Sequence, residues 1–202
     1  MKKSFISTKE ITEIAIFSAI AFALDVFQGG ISRGIFPNGG SIGIAMLPIL
    51  FLCFKRGFKA GMLSAIALTF LQMLGGVYAI ASEWYLVILQ ILLDYVLAYP
   101  VVAFAGVFYK KFHNSSNKIK WLITGTVFGG LLKLLCHYLA GVIFWGSSCP
   151  DGFFGGPAIF SLVYNGGFMV PNIIINGIIL VILYMKQPSI FDVINNNANE
   201  GE

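Results

Sequence analysis

The chain has 202 residues, of which 57% are hydrophobic and 11% charged, with a net charge of +4 and a mean hydropathy of +0.84. Soluble domains carry about 25% charged residues, so this chain lacks the polar surface a water-soluble fold needs, and lipid is its expected solvent. Nor does the positive balance mark a nucleic-acid surface, because the basic residues sit in short clusters between apolar runs.

A membrane helix needs about 20 mostly apolar residues. Runs of that kind lie at 10–28, 41–54, 57–76, 84–109, 121–145 and 158–185. They predict an all-α, polytopic membrane protein with six transmembrane helices, occupying 1–188 and followed by a polar tail at 189–202. The first run lacks a small-residue cleavage site followed by a soluble domain, so it reads as a first span and not as a signal peptide. The second is short and is expected to be tilted, broken or sheltered by protein. Turn-forming stretches separate several runs, with Gly29, Gly30 and Pro37 to Gly40 after the first and Gly155 to Pro157 before the last. Cys53, Cys136 and Cys149 are odd in number and unpatterned, so they predict neither a disulfide framework nor a metal site. No cofactor motif is read in the chain.

Cytoplasmic loops of membrane proteins carry an excess of Lys and Arg. With the N-terminus inside, the inner side receives Lys2, Lys3, Lys9, Lys55, Arg56, Lys59, Lys110, Lys111, Lys118, Lys120 and Lys186, and the outer side only Arg33. Both termini are therefore expected in the cytoplasm. The remaining basic residue, Lys133, falls inside a span.

A charge at the bilayer centre costs at least about 2.5–3.5 kcal/mol on insertion scales, so it normally faces the bundle interior and marks a site. Asp94 in the fourth run and Lys133 and His137 in the fifth are of this kind. Asp25 is the weaker candidate, since it lies near the outer end of the first run within reach of the interface. At a rise of about 1.5 Å per residue, Asp94 lies about 15 Å, His137 about 12 Å, Lys133 about 18 Å and Asn165 about 10 Å below the outer surface. Polar groups on three helices thus fall between that surface and the midplane, as in a pocket open to the outside.

Helical phase supports the grouping. Lys133, His137, Gly141 and Trp145 recur every four residues on one slowly turning face. Gln90 lies one turn from Asp94. Asn165, Asn172 and Asn176 fall within about 20° of one line at 3.6 residues per turn. Trp84, Tyr85, Tyr95, Trp145, Phe160 and Tyr164 border these positions. An acidic group, an imidazole, amides and rings suit a flat, positively charged heteroaromatic ligand, through charge-assisted hydrogen bonds and cation–π attraction. Plainer readings compete. Asp94 and Lys133 could form a purely structural ion pair, Asn172 and Asn176 could be interhelical glue, Trp84 could belong to the interfacial belt, and His113 reads as a solvated loop residue. No Walker, HExxH or GxSxG sequence is present, so the chain is not expected to be an enzyme.

Three stretches, LLDYVLAYPV (92–101), KLLCHYLAGVIFW (133–145) and FSLVYNG (160–166), carry a family resemblance. The chain, from Lys9 to about Lys186, resembles the thiamine-specific S components (ThiT/YuaJ family), the substrate-binding subunits of energy-coupling factor transporters. The resemblance implies a thiamine site at Asp94, Tyr95, Lys133, His137, Trp145 and Asn165, with Phe160 and Tyr164 beside it. It also implies uptake across the plasma membrane with a transmembrane coupling subunit and two cytoplasmic ATPase subunits. The family places Glu at the acidic position, where Asp94 is shorter by one methylene, and Tyr where Phe160 stands. One relative carries a Trp in the first outer loop that is missing here. Ala15, Ala19 and Ala23 give one small residue per turn on one face of the first run, which permits close helix approach and resembles the family's docking surface for the coupling subunit. The alternatives are an S component for another vitamin or a thiamine precursor, a solitary proton-coupled carrier using Asp94, Lys133 and His137 as a relay, and an intramembrane enzyme, the least favoured of the three.

Overall fold

Ser7 opens the first helix: its hydroxyl accepts the Glu10 amide at 3.2 Å, filling one of the donors that a helix start leaves unpaired. In the computed structural model, which describes residues 6–32 and 34–193, six helices follow in order. They are α1 (Thr8–Ser32), α2 (Leu47–Arg56), α3 (Phe58–Leu74), α4 (Trp84–Asn114), α5 (Lys118–Phe144) and α6 (Gly156–Lys186). Among the described residues there is no β-strand. Lys2, Lys3 and Arg33 of the charge count, and the tail beyond 193, lie outside the described residues.

Helices α1, α4, α5 and α6 are each long and apolar enough to cross a bilayer, and α3 is a shorter apolar helix of 17 residues. The run at 41–54 resolves differently. Only ten residues, Leu47–Arg56, are helical, and Pro48 to Phe54 are all buried. The chain from Ser41 to Met46 is irregular, and irregular backbone survives at membrane depth only where protein satisfies its polar groups. Asn172 does this by accepting the Gly43 amide at 2.7 Å and donating to Ser41 O at 2.8 Å. Asn176 donates to Gly43 O at 3.0 Å, Gln28 Oε1 accepts the Ala45 amide at 3.0 Å, and Ser32 Oγ accepts the Ile42 amide at 3.1 Å. The asparagines expected to glue helix to helix therefore bind loop backbone, because a side-chain amide offers the same donor and acceptor as a peptide group.

Helix α4 is not uniform. An α-helical turn region to Ile91 widens into a π-helix at Leu92–Leu97 and then tightens into a 3₁₀ stretch at Pro100–Phe108. Pro100 lacks the N–H that a regular ladder would use, and π-turns of this kind gather at functional sites. Neighbouring side chains take up part of the disturbed ladder: Thr69 Oγ1 donates to Tyr95 O at 3.4 Å and Cys53 Sγ to Ala103 O at 3.5 Å. At Gly129 of α5 a Cβ would lie 2.5 Å from Val102 O, so glycine lets α5 pack directly on the α4 backbone.

The basic end of the bundle is tied by Glu13, whose carboxylate meets Arg56 Nε at 2.7 Å and Lys55 Nζ at 3.5 Å. His113 is not a solvated loop residue: it lies within α4, and its Nε2 sits 2.9 Å from Phe54 O near the end of α2. Packing also continues past Lys186. Pro188–Phe191 form a 3₁₀ turn, and Phe191 is fully buried against Phe51, Phe112 and Tyr184.

Candidate functional site

The π-turn of α4 carries Asp94 and Tyr95, and α5 runs alongside it. His137 Nδ1 lies 3.2 Å from Asp94 Oδ1, with both side chains about four-fifths buried. An ionised carboxylate can only accept, so Nδ1 carries the hydrogen. Asp94 therefore pairs with His137, and the plainer reading of a structural Asp94–Lys133 ion pair does not hold. Lys133 lies one turn further from the ends of the loops. Its Nζ sits 3.2 Å from the centroid of the Tyr99 ring.

These groups border a cavity in two connected parts. The larger, of about 540 Å³, is lined by Asp25, Gln28, Gln72, Tyr99, Lys133 and Asn172 together with the loop from Phe36 to Ser41. The smaller, of about 160 Å³, is lined by Gly141, Trp145, Phe160, Ser161, Tyr164 and Asn165. Tyr78, Asp94, Tyr95, His137 and Phe168 belong to both and form the shared wall. All eight residues assigned from the sequence thus line one part or the other, with Lys133 in the larger alone.

Two loops roof the site, and residues of the site hold them. Tyr164 OH accepts the Asn38 amide at 3.0 Å and donates to Gly39 O at 3.0 Å. Tyr95 OH accepts the Tyr78 amide at 3.0 Å, and Tyr78 lies over Trp145 with ring centroids 5.9 Å apart. Gln90, buried and one turn before Asp94, faces the other way and accepts the Ile80 and Ala81 amides at 3.0 and 3.3 Å. Asn165 donates to Ser161 O and Oγ at 2.9 and 3.2 Å. Those two residues occupy the space beside Gly141, where a Cβ would stand 2.2 Å from Ser161 Oγ. Trp84 and Tyr85 stack edge to face and are mostly exposed, as belt residues do; neither lines the cavity.

Asp25, the weaker candidate in the sequence, lines the larger part of the cavity, as do Gln28, Gln72, Tyr78, Tyr99 and Phe168, which the sequence reading does not single out. Asp25 is visible in the sequence as a charge near the end of a span, within reach of the interface; α1 continues to Ser32, however, and carries Asp25 on its inner face with Ser18, Ala21 and Gln28. Ala15, Ala19 and Ala23 stand on the opposite, exposed face.

Fold and site together define a multi-pass helical membrane protein with a charged, ring-walled cavity under two loops at one end of its bundle. Residues 11–192 match the family described as Thiamine transporter protein (Thia_YuaJ), and the chain belongs to that family. It is 35% identical over 184 residues to the thiamine transporter ThiT of Bacillus subtilis, covering 87% of this chain and 90% of that one. The ThiT of Lacticaseibacillus paracasei is 27% identical over 191 residues, covering 90% and 89%. The solved structure of ThiT from Listeria monocytogenes superposes with a TM-score of 0.72 at 30% identity, covering 91% of this chain and 97% of that one.

Proposed function

We propose that this chain is a binding subunit for thiamine, taken from the outer side of the plasma membrane, and that it catalyses no chemistry of its own. The Asp94–His137 pair in the wall shared by both parts of the cavity carries this reading. Thiamine joins a permanently cationic thiazolium to an aminopyrimidine and ends in a hydroxyethyl group. A carboxylate faced by Tyr95, Tyr78, Trp145 and Phe168 offers that cation a counter-charge and π-faces, and Asn165 and Lys133 offer hydrogen bonds at either side. The thiamine transporters of Bacillus subtilis and Lacticaseibacillus paracasei support the same ligand.

The split of basic residues supports placing the Lys55, Arg56, Lys110 and Lys111 end, and with it both termini, in the cytoplasm. The cavity then opens outward. Nothing in the sequence supplies an energy source, so uptake is assigned to a complex with a transmembrane coupling subunit and two cytoplasmic ATPase subunits. The exposed Ala15, Ala19 and Ala23 face of α1 is where a coupling helix would lie. Titration of the purified protein with thiamine, followed by tryptophan fluorescence, tests the ligand: Trp145 in the smaller part is the reporter. Unchanged fluorescence and no calorimetric signal at micromolar thiamine would refute the assignment. Competition by riboflavin or biotin would redirect it to another vitamin, and pH-driven uptake into vesicles by the chain alone would show a solitary carrier.

A further inference from the structure

Asp25 is not among the residues that the family resemblance assigns, yet it is the most heavily engaged carboxylate in the cavity. It stands on the inner face of α1 in the larger part of the cavity. Tyr99 OH donates to its Oδ1 at 2.5 Å, and Gln72 Nε2 donates to its Oδ2 at 2.7 Å. Gln28 Nε2 adds a longer contact at 3.5 Å. Lys133 lies on the other partner of this arrangement, with Nζ over the Tyr99 ring at 3.2 Å. Its residue is only 6% exposed, and no carboxylate lies within ion-pair distance of it among the described residues. The order is therefore Asp25, Tyr99, Lys133: an anion and a cation separated by one phenol.

A buried ammonium is costly unless opposite charge compensates it. Two carboxylates line the cavity. Asp94 is engaged by His137, and Asp25 is the one joined to the ring on which Lys133 rests. With His137 neutral, Asp25, Asp94 and Lys133 sum to one negative charge, which is what a monocationic ligand complements.

We infer that Asp25 is a specificity-determining residue: by compensating Lys133 across Tyr99, it leaves the Asp94 carboxylate for the cationic ring of the ligand. The inference rests on reading the cavity as a thiamine site. Without the Asp25 charge, Lys133 and Asp94 are the only charges left, and the flexible lysine competes with the ligand for the one remaining anion. With the Lys133 charge removed instead, two carboxylates face the cation.

The test is a charge ladder on the purified full-length chain, titrated by calorimetry with thiamine and with its 3-deaza isostere, in which carbon replaces the cationic nitrogen. The quantity read is the preference, the ratio of the two affinities. Asp25→Asn is expected to lower that preference at least tenfold, because affinity for thiamine falls while affinity for the isostere changes little. Lys133→Met is expected to raise the preference above that of the unsubstituted protein, and Asp25→Asn with Lys133→Met to return it close to the starting value. Tyr99→Phe, which keeps every charge and the ring, is expected to leave it unchanged. If Asp25→Asn does not fold, Lys133→Met alone carries the test: a preference that does not rise above that of the unsubstituted protein overturns the inference. A merely structural Asp25 would weaken both ligands alike and leave the double variant no more selective than Asp25→Asn; that result overturns the inference while the thiamine reading stands. Absence of thiamine binding by the unsubstituted protein overturns both.

Discussion

Asp94 and His137 are 3.2 Å apart across α4 and α5, and this contact holds a carboxylate in the wall common to both parts of the cavity, its second oxygen without a hydrogen bond among the described residues. Hydrogen bonds to charged groups are worth about 1.5–3 kcal/mol. Asp94→Asn keeps the shape and removes the charge, so thiamine affinity is expected to fall about 10- to 100-fold, since each 1.4 kcal/mol is a factor of ten. Isothermal titration checks it, with the melting temperature as a control for folding. An undiminished affinity would remove Asp94 from the site.

Tyr164 spans the gap between α6 and the loop joining α1 to α2, accepting from Asn38 and donating to Gly39. Tyr164→Phe removes both bonds and leaves the ring packed against Phe36 and Phe168. At about 1 kcal/mol net per bond, a looser roof is expected to raise the ligand off-rate about tenfold or more. Stopped-flow displacement measures it. If the off-rate stays put while the on-rate changes, the loop is not held over bound ligand by this hydroxyl.

Two glycines of the α5–α6 region make a matched pair for packing. At Gly141 an added methyl would press on Ser161 Oγ and lie 2.9 Å from Asn165 Nδ2, whereas at Gly166 nothing stands within 4 Å. Overpacking costs about 1–3 kcal/mol, so Gly141→Ala is expected to lower the melting temperature and weaken ligand binding by displacing Asn165. Gly166→Ala, at a half-buried helical position with open space beside it, gains helix propensity of about 1 kcal/mol or less and is expected to be neutral or stabilising. Equal thermal shifts for the two would show that α5 and α6 are not in register as described.

Much of this arrangement was legible in the sequence because the bilayer makes every buried polar group stand out. Asp94, Lys133, His137 and Asn165 could be found by position alone, and the rise per residue was enough to bring them to one depth. What depth could not show was pairing. Lys133 lies on α5 one turn from His137, and only the backbone of α4 decides which of them meets Asp94. That backbone widens at Leu92–Leu97 and tightens after Pro100, so an ideal helical wheel loses its phase there and Gln90 turns away from Asp94. The same limit hid the role of Asn172 and Asn176. Their spacing on one line predicted a helix partner, but the partner is the irregular chain at 41–45, whose shape no periodicity encodes.

The face of α1 carries the last prediction. Ser18 on the inner side bonds Ser64 Oγ at 3.0 Å and Ser64 O at 3.1 Å, which fixes the rotation of the helix against α3. Ala15, Ala19 and Ala23 are thereby turned outward, away from the cavity that begins at Asp25 on the inner side. A bulky side chain there meets lipid in the isolated chain and, on the proposed docking, a partner helix in a complex. Ala19→Leu is therefore expected to leave thiamine affinity and melting temperature within error, while reducing co-purification of the coupling subunit by a factor of ten or more, because close approach depends on small residues. Thiamine uptake by cells carrying the variant falls in parallel. Full co-purification and uptake with leucine at position 19 would move the docking surface off this face, and loss of thiamine binding in the isolated variant would show that the two faces of α1 are not independent.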